Sequence, residues 1–236
     1  MNFKEGEIIC INKPYKVSSF GALAFVRTRI SKALGVKRVK TGHAGTLDPL
    51  ATGVLLLCTG KATKKIEELQ LEDKEYVATL QFGATTASFD MEHPENEWFP
   101  TDHITKEVLQ EALKQFVGDI MQVPPAFSAC NINGKRAYEL ARNDCKVELK
   151  AKPVRISEIE LMSFDEEKMQ AQIRVVCGKG TYIRSLARDI GETLNTGTYL
   201  TQLCRTRVGK YKIEDSITFD DFDEWLSKQH LEPYEE

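Results

Sequence analysis

The spacing of apolar residues predicts several strands along the chain. Residues 76–82 alternate between apolar and polar positions, as a half-buried strand does. The positions that share its apolar face are Tyr76, Ala78, Leu80 and Phe82. Residues 154–161 and 170–177 alternate in the same way, so we predict that they pair with each other. Residues 54–58 are continuously apolar, which is typical of a buried strand.

Helical spacing predicts four further elements, at residues 20–34, 62–70, 105–117 and 183–194. Ser18-Ser19 is a suitable N-terminal cap for the first helix. The apolar face of that helix would comprise Phe20, Leu23, Ala24 and Leu34. Gly118 is expected to end the third helix, whose apolar positions are Val108, Leu109, Ala112, Leu113, Phe116 and Val117. The polar stretch 84–103 is expected to be a long loop.

Strands and helices therefore interleave irregularly, without a repeated βαβ pattern. We predict an α+β fold with a mixed, largely antiparallel central sheet flanked by helices. The chain has 236 residues, of which 42% are hydrophobic, so it can bury a sizeable core. Its apolar runs are too short to span a membrane, and its N-terminus lacks the apolar segment of a signal peptide. Six scattered cysteines are typical of reduced thiols, so we expect a cytoplasmic protein.

Charge is distributed unevenly, although the net charge is only -3. Residues 1–65 carry 12 Lys/Arg against 3 Asp/Glu, a net +9, and residues 174–212 carry 8 against 2, a net +6. Residues 66–173 carry 11 against 21, a net -10, and residues 214–236 carry 1 against 9, a net -8. Two basic segments in an acidic protein favour a polyanionic partner over simple solvation of helix faces.

One carboxylate, Asp48, lies in a segment rich in Gly and Pro, residues 42–53, that also contains His43. The apolar run that follows predicts a tight loop leading into a buried strand, and loops on rigid scaffolds often carry catalytic side chains. A turn that merely begins at Asp48-Pro49 is equally compatible with the spacing. A phosphate-binding loop at Gly53–Thr63 is excluded, because six residues separate its glycines where four are required.

A second segment, Gly178–Leu186, follows a predicted strand and opens a helix. Its glycines explain a strand-to-helix turn, but they leave Lys179, Tyr182 and Arg184 unexplained. A catalytic triad lacks support, whereas a single aspartate can act as a nucleophile. Arg184 is a suitable partner for Asp48, because a guanidinium stays charged and can bind a carboxylate through two hydrogen bonds.

These segments together resemble the TruB family of tRNA pseudouridine synthases. The matching motifs follow the order of the family from about residue 8 to residue 211, and they are Ile11–Pro14 with Ser18-Ser19, Gly42–Gly53, Lys74–Tyr76 with Phe82–Thr86, Pro124–Ala129 with Gly134–Arg142, and Gly180–Leu186. Five motifs in one order are highly specific. The resemblance implies a pseudouridine synthase fold with a central cleft.

The resemblance also implies a reaction, in which one uridine in the T-loop of tRNA is isomerised to pseudouridine without a metal or cofactor. Asp48 matches the catalytic aspartate of the family, Tyr76 the aromatic residue that stacks on the target base, and Arg184 the arginine that pairs with the aspartate. His43 matches the histidine that replaces neighbours of the flipped base. Tyr182 and Leu203 match positions that line the uracil pocket.

The chain departs from the family pattern at two places. Residues 87–93 lack the usual glycine, and Asn131 stands where a lysine is common. We expect a catalytic domain at 1–213 and a short acidic segment at 214–236, without the C-terminal PUA domain of larger members. The expected partner is the T stem-loop of tRNA, bound by a monomer. The alternatives are a synthase that acts on another RNA and a non-catalytic module that binds or folds RNA.

Overall fold

The computed structural model describes residues 1–127, 131–132, 135–136 and 149–234. Strands in this part of the chain are β1 (Ile8–Lys13), β2 (Thr41–Ala44), β3 (Thr52–Thr59), β4 (Lys74–Phe82), β5 (Ala84–Thr86), β6 (Glu95–Trp98), β7 (Gly118–Gln122), β8 (Asn131–Ile132), β9 (Lys135–Arg136), β10 (Lys152–Asp165), β11 (Gln170–Cys177), β12 (Thr198–Val208) and β13 (Tyr211–Lys212). Its α-helices are α1 (Ser19–Ala33), α2 (Ile66–Leu71), α3 (Lys106–Lys114), α4 (Ile183–Thr193) and α5 (Phe222–Ser227). Two 3₁₀ turns cover Gly60–Lys65 and Ile213–Asp215.

The predicted start of α1 is confirmed, because the Ser18 side chain accepts a hydrogen bond from the backbone N–H of Gly21. The predicted core face of this helix is partly wrong, since the Phe20 side chain is 64% exposed. The physical reason lies one residue earlier, where Ser19 is buried and bound to the loop at Leu47. That contact sets the rotation of the helix, and the side chains that it buries are Ala22, Leu23, Val26 and Ile30.

Two other expectations need correction. The stretch 84–103 is not wholly a loop, because β5 and β6 pair as a short antiparallel hairpin through it. These strands are only three and four residues long, too short for their alternation to be visible in the sequence. Helix α3 ends at Lys114, and Val108 and Val117 are exposed rather than in the core.

The described chain divides into two compact units, one of Met1–Tyr76 with Cys204–Glu236 and one of Val77–Leu203. In the first unit, β3 pairs antiparallel with both β1 and β2 and parallel with β12. One cluster in its core consists of Ala44, Val54, Leu56, Cys58, Ala62, Leu69 and Val208. The C-terminal segment packs on α1, where the rings of Phe25 and Phe219 stack with their centroids 3.9 Å apart.

In the second unit the strand order is β12-β4-β11-β10-β7. Strands β10 and β11 pair with each other, as their alternation predicted. Their pairing is antiparallel, and β7 pairs antiparallel with β10. Tyr76 belongs to the first unit, and the remaining predicted core positions of β4 are buried as expected, at Ala78, Leu80 and Phe82. Helix α4 buries the apolar face that its spacing predicted, which comprises Ile183, Leu186, Ala187 and Ile190.

The predicted α+β class with a mixed, largely antiparallel sheet and flanking helices is thus confirmed. Within the residues that the structure describes, no helix combines the length and the apolar character needed to cross a membrane.

Candidate active site

The loop that carries Asp48 connects two paired strands of the first unit. Strands β2 and β3 pair antiparallel, with His43 opposite Leu57, and residues 45–51 join them. Within the loop the backbone N–H of Ala51 donates to the carbonyl of Asp48 at 3.1 Å, which closes a tight turn. The side chain of Leu47 is buried while Asp48 is half-buried, so the loop is anchored beside the carboxylate and leaves it reachable.

A serine at the start of α1 fixes this loop from one side. The Ser19 hydroxyl donates to the carbonyl of Leu47 at 2.9 Å and accepts from the backbone N–H of the same residue at 2.8 Å. Both groups are buried, so breaking either bond would leave a polar group without water. The residue directly before Asp48 therefore has a fixed position.

Strand β12 fixes the end of the loop. Gly53 has a φ of +101°, and a Cβ atom built on it would lie 2.2 Å from the carbonyl oxygen of Arg205. A side chain at position 53 would collide with the backbone of β12, so the close parallel pairing of the two strands requires glycine here.

Lys13, at the end of β1, is a fully buried cation beside the loop. Its ammonium group donates to the carbonyl oxygens of Pro14, Val17 and Pro49 at 3.1, 2.6 and 3.3 Å. Burial lowers the pKa of Lys13 to about 8, with a smaller contribution from Arg205, and the negative charge of Asp48 opposes this change. The negative charge of Asp48 thus favours the charged form of Lys13. The hydrogen bond from Lys13 to Pro49 connects the loop to the end of β1.

Arg205, on β12, is a second buried cation, with a side chain that is 1% exposed. Its Nε donates to the carbonyl of Val54 at 2.8 Å, and one terminal nitrogen donates to the carbonyl of Gly45 at 3.1 Å. One contact thus binds the first residue of the loop, and the other binds the strand that follows the loop. Arg205 and Lys13 are thus two buried cations that hold the backbone of the loop that carries Asp48.

His43 lies on β2 and is half-buried. Burial lowers the pKa of its imidazole, and the positive charge of Arg205 lowers it further. The ring is therefore neutral at physiological pH, because the ordinary value of 6.5 is already below it. Its Nδ1 atom is buried without a hydrogen-bond partner among the described residues.

Tyr76 lies on β4, on the same face as Lys74 and Ala78, and only about a tenth of its side chain is exposed. The ammonium group of Lys74 donates to the carbonyls of Gln70 and Glu72, which fixes the start of the strand. The ring of Tyr76 is thus held on a rigid strand rather than on a loop.

Arg184 lies in the first turn of α4 in the second unit and is 4% exposed. Its two terminal nitrogens donate to the carbonyls of Ser88 and Phe127 at 3.2 and 2.8 Å. Its Nε is 3.7 Å from Oδ2 of Asp90. Two hydrogen bonds at the terminal nitrogens hold the guanidinium plane, and the negative charge of Asp90 lies beside Nε.

Asp90 lies in the stretch that the sequence predicts as a loop, and it accepts several hydrogen bonds near Arg184. Its carboxylate accepts from the hydroxyl of Ser88 at 2.6 Å and from the backbone N–H of Glu92 at 2.9 Å, and its carbonyl accepts from Thr86 at 2.7 Å. These bonds to the buried carboxylate and to the backbone carbonyl of Asp90 fix the turn that connects β5 and β6.

Tyr182 and Leu203 occupy defined positions in the second unit. The backbone N–H and carbonyl of Tyr182 both bind the side-chain amide of Gln122, at 2.8 and 3.2 Å, and Gln122 is buried. Leu203 is half-buried on β12.

The structure thus gathers Asp48 and His43 around two cations in the first unit, and it places Arg184 beside Asp90 in the second. The pairing of Arg184 with Asp48 stays a prediction. Among the described residues, no three His, Cys, Asp or Glu side chains are grouped so that they could hold a metal ion.

Sequence reasoning gave no role to Lys13, Arg205 or Asp90. The available signal for Lys13 was its place at the end of an apolar strand. Lysine is rarely buried unless its ammonium group has partners, so a lysine in such a position is a candidate for a specific role. The signal for Arg205 was its position in the basic segment 174–212.

Comparisons with known proteins define the class of enzyme. A family model described as TruB family pseudouridylate synthase (N terminal domain) matches residues 31–183, and a model described as tRNA pseudouridylate synthase B C-terminal domain matches residues 184–235. Both models belong to pseudouridine synthases, enzymes that isomerise uridine in RNA. The chain belongs to the TruB family.

Similar proteins cover nearly the whole chain. A protein of Phocaeicola vulgatus named tRNA pseudouridine synthase B is 57% identical over 232 residues, which are 98% of each chain. A protein of Parabacteroides distasonis with the same name is 50% identical over 236 residues, the full length of both. Among solved structures, a Cbf5-Nop10-Gar1 complex contains a chain that matches with a TM-score of 0.70 and 28% identity over 95% of this chain. The present chain spans about half of that structural relative, namely 55%.

Proposed function

We propose that the chain converts one uridine in the T-loop of tRNA to pseudouridine, with Asp48 as the catalytic carboxylate. The observation that carries this proposal is the arrangement of the Asp48 loop between buried Lys13 and Arg205. The names of the similar proteins, tRNA pseudouridine synthase B, support tRNA as the substrate.

The reaction breaks the bond between N1 of uracil and C1′ of ribose, rotates the base, and forms a bond between C5 and C1′. The proton on C5 is lost and N1 gains one, so atoms and electrons balance without an oxidant, a cofactor or a metal. Two routes start from the Asp48 carboxylate, attack on the sugar carbon and removal of a sugar proton. Both routes use the charged carboxylate, whose loop is held by the buried cations Lys13 and Arg205.

The target base must leave the helical stack before it can react, at a cost of a few kcal/mol. We propose that Tyr76 stacks on the flipped base and that neutral His43 takes the place of the neighbours of that base in the RNA. Rigid attachment of Tyr76 to β4 suits this role, because a fixed ring loses little entropy on binding. We propose that Tyr182 and Leu203 line the uracil pocket and that Arg184 pairs with Asp48.

We further propose that a monomer acts in the cytoplasm. The catalytic domain would comprise residues 1–213, and the acidic segment 214–236 would repel RNA from its own surface.

Release of tritium from C5-labelled uridine in tRNA tests the proposed function directly. The parent should release tritium and form pseudouridine at one T-loop position, identified by mapping the modified nucleotide. An isolated T stem-loop should be modified nearly as well as whole tRNA. A parent protein that binds tRNA without releasing tritium would instead be an RNA-binding module, and release from another RNA alone would indicate a different substrate.

A further inference from the structure

Two aromatic side chains next to the catalytic loop are exposed to solvent. Tyr15 is 47% exposed and Phe20 is 64% exposed. Large aromatic side chains are usually buried, so two exposed rings five positions apart in the sequence are informative. Neither ring has a role in the chemistry proposed above.

The segment that carries both rings is fixed to the Asp48 loop. Lys13 donates to the carbonyls of Pro14 and Val17, on either side of Tyr15, and also to the carbonyl of Pro49, directly after Asp48. Ser19, directly before Phe20, binds Leu47. Buried polar contacts therefore fix the backbone on either side of Tyr15 and directly before Phe20 beside the Asp48 loop.

A positively charged side chain accompanies each ring. The ammonium nitrogen of Lys16 lies 5.5 Å from the centroid of the Tyr15 ring, and the guanidinium carbon of Arg27 lies 6.0 Å from the centroid of the Phe20 ring. Lys16 also has a φ of +63°, a left-handed conformation that a non-glycine residue adopts at some cost in free energy. The backbone thus retains a cation at a position where glycine would be less strained.

Exposed aromatic rings combined with cations are the chemical pattern of single-stranded nucleic acid binding, since bases stack on the rings and phosphates bind the cations. We propose that Tyr15 and Phe20, with Lys16 and Arg27, form a stacking platform for unpaired nucleotides of the RNA substrate next to the catalytic loop. This inference rests on the proposed function for the identity of the RNA. The net charge of +9 over residues 1–65 favours RNA over a protein partner with an apolar surface.

Fluorescence anisotropy with a labelled T stem-loop RNA tests the platform, using Tyr15→Leu and Phe20→Leu. Leucine keeps an apolar side chain and removes the aromatic face. Each variant should bind the RNA about fivefold or more weakly, the lower end of the range for loss of one base–aromatic stack. The slope of log affinity against log salt should stay unchanged, because both variants keep every cation that binds phosphate. Phe20→Trp should restore affinity, and a fully paired duplex should bind both leucine variants like the parent.

The matched control is Trp98→Leu in the second unit, where the ring is 70% exposed and bonded to Glu95. Its surroundings are acidic, so RNA affinity should not change. The platform would be overturned if the leucine variants bound RNA as tightly as the parent, if they only changed the salt slope, or if Trp98→Leu had the same effect. A change in sedimentation without a change in RNA affinity would identify a protein interface instead.

These measurements separate the platform from the proposed function. If the parent releases no tritium from tRNA, the proposed function fails, whatever the anisotropy shows. If the parent is active and the leucine variants bind and turn over like it, only the platform fails. Melting temperatures of the variants should match the parent, because both rings are exposed.

Discussion

Arg205 in the first unit and Arg184 in the second are both buried arginines, but their surroundings differ. Arg205 is held by the backbone carbonyls of Gly45 and Val54, and its neighbour Lys13 is held by carbonyls as well. Arg184 has carbonyl contacts too, but the carboxylate of Asp90 lies 3.7 Å away within the same unit.

The difference shows where the protein retains positive charge. A buried cation paired with a carboxylate is largely neutralised, whereas carbonyl dipoles stabilise a cation without cancelling its charge. The lowered pKa of Lys13 reflects the fact that burial makes its charged form less favourable. Lys13 and Arg205 therefore keep positive charge in the unit that contains the Asp48 loop, whereas Arg184 has a carboxylate close to it within the second unit.

Among changes in the first unit, removal of the Asp48 carboxylate should have the largest effect on turnover. Asp48→Asn should lower turnover by about 10⁴-fold or more, the size of effect seen when a catalytic carboxylate is removed. Tritium release under single-turnover conditions measures the rate. Affinity for tRNA should stay close to that of the parent, because the amide has nearly the same shape. A residual rate within tenfold of the parent would exclude Asp48 as the catalytic group.

Arg184→Lys should cause the next largest loss, roughly 100-fold in turnover, because lysine cannot keep the planar contacts that set the geometry. Arg207→Lys is the matched control, since Arg207 is partly exposed and its nearest carboxylate oxygen, on Glu75, is 3.9 Å away. The control should retain nearly full activity. Parent-like turnover of Arg184→Lys would show that this arginine only stabilises the fold around Asp90.

Lys13→Met should lower the free energy of unfolding by about 1–3 kcal/mol, because buried carbonyls at Pro14, Val17 and Pro49 lose their donor. Urea unfolding measures the loss, and Lys16→Met, at an exposed neighbouring position, is the control. If both variants unfold at the same urea concentration, the ammonium contacts contribute little to the position of the loop.

The same variant tests the sign of the pH dependence. The pKa of Lys13 is about 8 in the folded protein and 10.5 in the reference state, so between these values the unfolded chain binds more protons. The parent should therefore gain stability relative to Lys13→Met as the pH rises from about 8 toward 10.5, and lose that gain as the pH falls through about 8. Unfolding curves across this range measure the difference, and a parallel pH dependence of the two proteins would contradict it.

The smallest effect on the fold is expected from the exposed cations before the loop. Lys37, Arg38 and Lys40 are all exposed. Replacing them together with Ala should reduce the slope of log affinity against log salt by up to about 0.9 for each phosphate that these cations neutralise in the parent. Stability should change by less than about 0.5 kcal/mol per substitution.

A matched triple substitution in the second unit keeps this test specific. Lys106, Lys114 and Lys168 are equally exposed and lie in the acidic part of the sequence. Their replacement with Ala should leave the salt slope unchanged. Equal slopes for both triple variants would mean that charge guides RNA without preference for the first unit.

Periodicity predicted the elements whose burial follows one repeating rule. Strand β4 buries alternate positions, and α4 buries its apolar face, as their spacing indicated. Phe20 is exposed, contrary to its spacing, because the hydrogen bonds between Ser19 and Leu47 fix the rotation of α1. No local pattern encodes a contact between residues 28 positions apart.

The candidate site was predictable only as far as its loop. Asp48 stood out through the glycines and proline around it. The buried cations that hold its loop come from distant segments, Lys13 from β1 and Arg205 from β12. Their lysine and arginine side chains look ordinary in the sequence, because burial arises only when the strands assemble.

The contact between Gly53 and Arg205 bears on how a map of mutational tolerance should be interpreted. A Cβ at position 53 would lie within 3 Å of three backbone atoms of Arg205, so nearly every substitution there should be eliminated in a selection for activity. Gly53 would then score like Asp48, although it performs no chemistry. The two positions would separate only when the abundance of folded protein is recorded beside activity, since Asp48→Asn should stay abundant and Gly53→Ala should not.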